Sequence, residues 1–90
     1  MSSDYASYVG QRVGIYTTGR IPNGSSFEQA GSLYLEGLLE SESDRLLSLK
    51  DLHVRTFWNK DKSDVFSDGG VVPKDKIVTL YRIKEKDSLI

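Results

Sequence analysis

Hydrophobic and polar positions alternate along much of this chain with a period of two, the signature of strands that bury one face. The first such run is residues 12–17, where Val13, Ile15 and Thr17 alternate with Gly14 and Tyr16. The clearest spans residues 31–40. Leu33, Leu35 and Leu39 share one side there, and Tyr34, Glu36, Leu38 and Glu40 share the other. Gly37 stands where an inward side chain is expected, which predicts a sharp bend or a close backbone approach. Residues 41–44 read as a polar turn. From Arg45 a new run keeps Leu47 and Leu49 on one parity but Leu52, Val54, Thr56 and Trp58 on the other, so the phase slips near Lys50-Asp51. A β-bulge in one long bent strand produces such a slip, as does a tight turn between two short strands; the bulge is the preferred reading. Residues 59–64 form a charged loop. A further strand is expected over residues 65–72, interrupted by Asp68-Gly69-Gly70, and residues 77–83 are strongly β-prone.

Two stretches depart from this pattern. Residues 4–11 are compatible with one short helix, with Tyr5, Tyr8 and Val9 on one face, Ser3 or Asp4 as cap and Gly10 as stop. Residues 18–30 are rich in Gly, Ser, Asn and Pro and read as a loop of a length that is uncommon unless functional or disordered; Asn23-Gly24 equally fits the tip of a small hairpin. With no internal repeat or linker, residues 1–90 form one mainly β domain: a helix over 4–11, a barrel over 12–84 and a tail over 85–90. About five antiparallel strands with a strongly bent second strand cannot lie flat and cover their own core, so they curl into a small barrel. OB, SH3-like and Sm-like barrels all satisfy these terms.

Composition narrows the chemistry. A ninety-residue chain buries only about 60–65% of its unfolded surface, so association is a ready source of further burial. The absence of cysteine removes disulfides, thiolate zinc clusters and a Cys nucleophile, and a single histidine cannot build a multi-histidine metal site within one subunit. No apolar run approaches the roughly 18 residues of a membrane span, and the polar N-terminus is unlike a secretory signal, so a cytoplasmic protein without a membrane partner is expected. Net charge is −1, but unevenly spread: Lys74 to Lys86 holds five bases against two acids. A lysine-protected strand edge explains this stretch as well as a nucleic-acid footprint does.

Three segments carry a family resemblance. In Val9-Gly10-Gln11-Arg12-Val13-Gly14-Ile15 a helix ends in glycine before a strand. Gly31-Ser32-Leu33 opens the second strand. Val72-Pro73-Lys74-Asp75-Lys76-Ile77 sets two aliphatic residues on either side of four connecting ones. In this order over residues 4–84 they resemble the Sm/LSm family of RNA-associated ring proteins, and Val71-Val72-Pro73 is similar to the matching segment of bacterial Hfq. The chain looks like a divergent member, of the kind phages or environmental microbes encode. The resemblance implies a homo-oligomeric ring in which the fourth strand of one subunit pairs with the fifth of the next. Val71, Val72, Ile77, Thr79, Tyr81 and Ile83 would form that interface. Residues 77–83 themselves, with Ile77, Thr79, Tyr81 and Ile83 on one side and Val78 and Leu80 on the other, are apolar on both faces and would invite aggregation as a bare edge. Closure of about five to seven subunits is expected.

The resemblance also places Arg45, Lys74 and Lys76 on loops facing the ring's pore, where repetition concentrates a positive field and RNA is the expected partner. Asp44 and Asp75 dilute that field, while Tyr34 and Trp58 are candidates for base stacking. Burial at a core or an interface accounts more readily for Trp58. The usual uridine pocket is not reproduced. Its asparagine position falls on Leu46 or Leu47, its stacking position near Asp44, and the last connection reads Pro73-Lys74 instead of Arg-Gly. The same barrel can serve as an assembly module without nucleic acid, or as a monomeric binding domain.

No enzymatic chemistry or cofactor is indicated. His53 lacks any ligand pattern and is read as a surface or interface residue. Glu36, Glu40, Glu42 and Asp44 cluster, but a solvated strand face and its turn explain them. Ser41 and Ser43 have no adjacent base, and neither Gly10–Gly14 nor the Gly19–Gly24 loop has the context of a phosphate loop.

Overall fold

The computed structural model of the chain describes residues 5–56, 58, 59 and 61–84. The strands are β1 Arg12–Thr18, β2 Ser32–Glu42, β3 Leu46–Arg55, β4 Asp64–Phe66, β5 Gly70–Pro73 and β6 Ile77–Arg82. They form one antiparallel sheet in the order β4-β3-β2-β1-β6, with β5 also paired to β3. Leu52–Val54 of β3 lie against β4, and Leu46–Leu49 lie against β5. The expected single strand over residues 65–72 is therefore two strands. Gly69 ends a turn closed by its N–H on the Phe66 carbonyl (2.9 Å), at φ 84°. A Cβ there would land on the Leu49 carbonyl, so the break is built into the sequence.

The slip in β3 is a bulge. Glu36 pairs with His53 but Leu38 with Lys50, and Asp51 takes a positive φ of 51°. Gly37 lies opposite, where a Cβ would approach the Lys50 carbonyl to 3.1 Å, which is the close backbone approach its position predicts. The bulge brings Leu47, Leu49, Leu52 and Val54 to the same side. They pack there with Val13, Ile15, Leu33, Leu35, Leu39 and Val72 into one core. Each such aliphatic side chain contributes about 1.5–3 kcal/mol on full burial.

The helix expected over residues 4–11 is reduced to a 3-10 turn, Ala6–Tyr8. No side chain caps it, Val9 is already extended, and so short a segment has little helical stability of its own. Tyr5 and Tyr8 reach the core but Val9 is exposed. Gly10 stops the turn as expected, at φ 87°, and its N–H bonds the Leu39 carbonyl (2.7 Å). Asp4 and the 85–90 tail lie outside the described residues.

Residues 19–31 form a closed loop with no strand pairing. Gly19 N–H bonds the Gly31 carbonyl (2.7 Å), Ile21 is buried, and Phe27 and Ala30 pack on the core. The Asp64 carboxylate accepts from both the Ser26 amide (2.7 Å) and its hydroxyl (3.0 Å).

The strict alternation expected over residues 77–83 fails at one point. Tyr16 pairs with Thr79 but Thr17 with Ile77, so Val78 is a bulged, exposed residue. Ile77 and Leu80 both turn toward the core as a result. No helix among the described residues is long and apolar enough to cross a membrane.

Candidate functional site

The sheet face opposite the core carries a layer that the alternation alone reads as solvated. Strand register sets two rows across it. Tyr81, Gly14, Glu36, His53 and Val65 are successive cross-strand neighbours, and beside them run Thr79, Tyr16, Tyr34 and Arg55. Glu36 is fully buried and Arg55 is 1% exposed, which corrects the expectation of a solvated Glu36. Tyr34 Oη donates to Glu36 Oε2 (2.7 Å) and lies 2.7 Å from Tyr81 Oη. A phenol has one proton. With that proton on Glu36, Tyr34 accepts from Tyr81. The Arg55 guanidinium stacks 4.7 Å above the Tyr34 ring, and its Nη1 donates to the Thr56 carbonyl (2.7 Å). Tyr16 packs on Tyr34 with ring centres 4.8 Å apart.

Gly14 makes this layer possible. A Cβ there would come within 2.6–2.8 Å of the Tyr81 ring and both hydroxyls. Burial, the Tyr81 hydrogen bond and the neighbouring Glu36 push the Tyr34 phenol far above its ordinary range, and burial raises Tyr81 as well. Both stay protonated at neutral pH and act as fixed donors. Arg55 Nε and His53 Nδ1 are buried without a hydrogen-bond partner among the described residues.

Of the residues expected to hold RNA, the fold brings Asp44, Arg45 and Lys74 together. The Lys74 amide bonds the Arg45 carbonyl (2.8 Å), and the two loops line an open concavity of about 450 Å³ with Leu46, Pro73 and Asp75. Lys74 Nζ is held by Glu42 (2.8 Å) and lies 5.8 Å from the Tyr5 ring centre. Lys76 lies elsewhere, its side chain over Gly19, and Tyr34 is buried in the polar layer, away from any stacking surface. Trp58 is 70% exposed, so the chain does not bury it. Of the expected interface residues, Val72 and Ile83 are buried within the chain, whereas Val71 and Thr79 are exposed and Ile77 and Tyr81 half-buried.

A second concavity, also about 450 Å³, lies between the N-terminal turn and the end of β6, lined by Ser7, Tyr8, Gln11, Tyr81, Arg82 and Lys84. Gln11 spans its floor: Nε2 donates to the Ser7 carbonyl (3.4 Å) and Oε1 accepts from Arg82 Nη1 (3.5 Å). Among the described residues no three His, Cys, Asp or Glu side chains are placed to hold a metal ion.

The sequence did carry a signal for the polar layer. Tyr34 with Glu36 and His53 with Arg55 are i,i+2 pairs on the non-leucine parity of adjacent strands, facing a glycine where β1 would otherwise present a side chain. Comparison of the chain with protein-family models, curated proteins and solved structures finds no match.

Proposed function

We propose that this protein is a non-enzymatic, Sm-like ring component that joins the β6 edge of one copy to the β4–β5 edge of the next. Its RNA-binding end is formed by the Arg45 and Lys74 loops. The observation that carries the reading is the two sheet edges, at opposite ends of the strand order, to which no further strand pairs among the described residues. Both bear exposed valines: Val78 on β6, Val65 and Val71 on β4 and β5. Bare edges with apolar side chains template aggregation unless a partner covers them. Two different edges meeting head to tail make a heterologous contact, which closes into a ring when the rotation permits.

Arg45 is the exposed cation of the pore-side end, and a ring multiplies it into a continuous positive rim for phosphates. The Lys74–Glu42 pair and the flanking Asp44 and Asp75 favour the second reading, the same ring acting as an assembly module without nucleic acid.

Light scattering on the purified protein tests the ring. A protomer of 10.1 kDa predicts a mass of about 50–70 kDa for five to seven copies. Lysine at both Val71 and Val78 is expected to return it to one protomer. A wild-type mass near a single protomer removes the ring, and RNA affinity that ignores both salt and Arg45→Gln removes the pore-side contact.

A further inference from the structure

We infer that the concavity between the Ala6–Tyr8 turn and the end of β6 is a binding site for single-stranded nucleic acid, separate from the Arg45–Lys74 end. Charge distinguishes the two ends. The two concavities are equal in size, yet the loop end sets Asp44 and Asp75 against Arg45 and Lys74, whereas this one presents Arg82 and Lys84 with no carboxylate among its described lining residues. It absorbs the last described part of the basic run that begins at Lys74. Two exposed cations beside each other suit the phosphates of a flexible strand, whose binding is driven largely by counterion release.

The walls supply the second half of the recognition. Tyr8 and Tyr81 are aromatic, and bases of any identity stack on such rings. Both are held before a ligand arrives. Tyr8 packs on the core, and Tyr81 is anchored through its hydroxyl to Tyr34 and thence to the buried Glu36. Fixed rings lose little freedom on binding, so their contact area converts efficiently into affinity. Gln11, tied to Ser7 and Arg82, adds an amide able to meet a base edge or a sugar hydroxyl. A volume of about 450 Å³ falls within the range of small-ligand sites and suits one nucleotide at a time. An acidic peptide would satisfy the cations but leave the ring pair unused, which is why a nucleotide chain is the better fit.

The site shares no lining residue with the Arg45–Lys74 end, and one experiment separates the two. Anisotropy of labelled octauridylate is measured with the full chain at low and moderate salt, for wild type, R82Q/K84Q, Y8L and R45Q. Arg82 and Lys84 are exposed, so their double variant is expected to keep the wild-type far-UV circular dichroism. It is expected to weaken binding at least about tenfold and to reduce the salt slope by about 1.4, two phosphate contacts on a single strand. Leucine at position 8 keeps an apolar side chain but removes the ring, and a loss of about fivefold or more is expected. Wild-type affinity in R82Q/K84Q overturns the inference. If R45Q alone loses binding, the pore-side reading stands and this site falls; if R82Q/K84Q alone loses it, the reverse holds. An unchanged affinity in Y8L removes the stacking contact and with it the case for a nucleotide. No binding by wild type at low salt removes both sites.

Discussion

Replacing Tyr34 with phenylalanine removes one oxygen from the buried layer and little else. The ring that meets the Arg55 guanidinium at 4.7 Å and Tyr16 at 4.8 Å is retained, so packing and cation–π contacts persist. What is lost is a two-step chain: Tyr81 to Tyr34, and Tyr34 to the fully buried Glu36. Depriving a buried acceptor of a donor costs about 1–3 kcal/mol, more than the 0.5–1.5 kcal/mol net value of an ordinary hydrogen bond. Tyr34→Phe is therefore expected to destabilise by about 2 kcal/mol and Tyr81→Phe, which cuts only the outer link, by about 1 kcal/mol. The double variant should resemble Tyr34→Phe alone, because the Tyr81–Tyr34 bond is already gone; the coupling is about 1 kcal/mol. Urea unfolding followed by far-UV circular dichroism at fixed protomer concentration gives all three values, since any association makes stability concentration-dependent. Tyr34→Phe within 0.5 kcal/mol of wild type, or strict additivity of the two single variants, would falsify the hydroxyl chain.

Three further outcomes are expected. Gly69→Ala places a Cβ on the Leu49 carbonyl at a positive φ and should cost about 3 kcal/mol or more, lowering the thermal midpoint by at least about 12 °C. Gly24→Ala, at a similar φ but in open space, should cost only about 1 kcal/mol, and equal losses at the two sites would show that the contact plays no part. Alkaline titration should weaken the fold. The Tyr34 and Tyr81 phenols are raised in the folded state, so their stabilisation is complete below the ordinary value of 10.0 and is lost as the pH rises above it. The drop should shrink in Tyr34→Phe, and an undiminished drop there would point to other groups. Leu39→Ala in the closed core should cost about 2–5 kcal/mol by urea unfolding, with a loss under 1 kcal/mol indicating that the site collapses freely.

Much of the sheet was legible because its leucines alternate. Leu33, Leu35 and Leu39 fixed the inner face of β2, and the parity change between Leu49 and Leu52 located the bulge opposite Gly37. The N-terminal helix was misread because three apolar residues can satisfy helical spacing in a segment too short to hold a helix, and tertiary contacts of Tyr5 and Tyr8 decided its form. Splitting residues 65–72 required knowing that Gly69 meets a backbone carbonyl, which is a property of the neighbouring strand. The same limit applies to the candidate site. The family resemblance set Arg45 and Lys74 on neighbouring loops, but gave neither the engagement of Lys74 by Glu42 nor the burial of Tyr34 and Glu36. Outward parity predicts exposure only when nothing covers the face, and here polar side chains cover one another.

Asp64 has one further consequence. It opens a strand of only three residues, and the same carboxylate grips Ser26 across a gap of 38 positions. The shortest rung of the sheet and the glycine-rich segment above it thus share a latch, and whatever pries one loose frees the other. Amide protons from both should surrender to deuterium together, as a single door swinging ahead of the global unfolding of the sheet behind it.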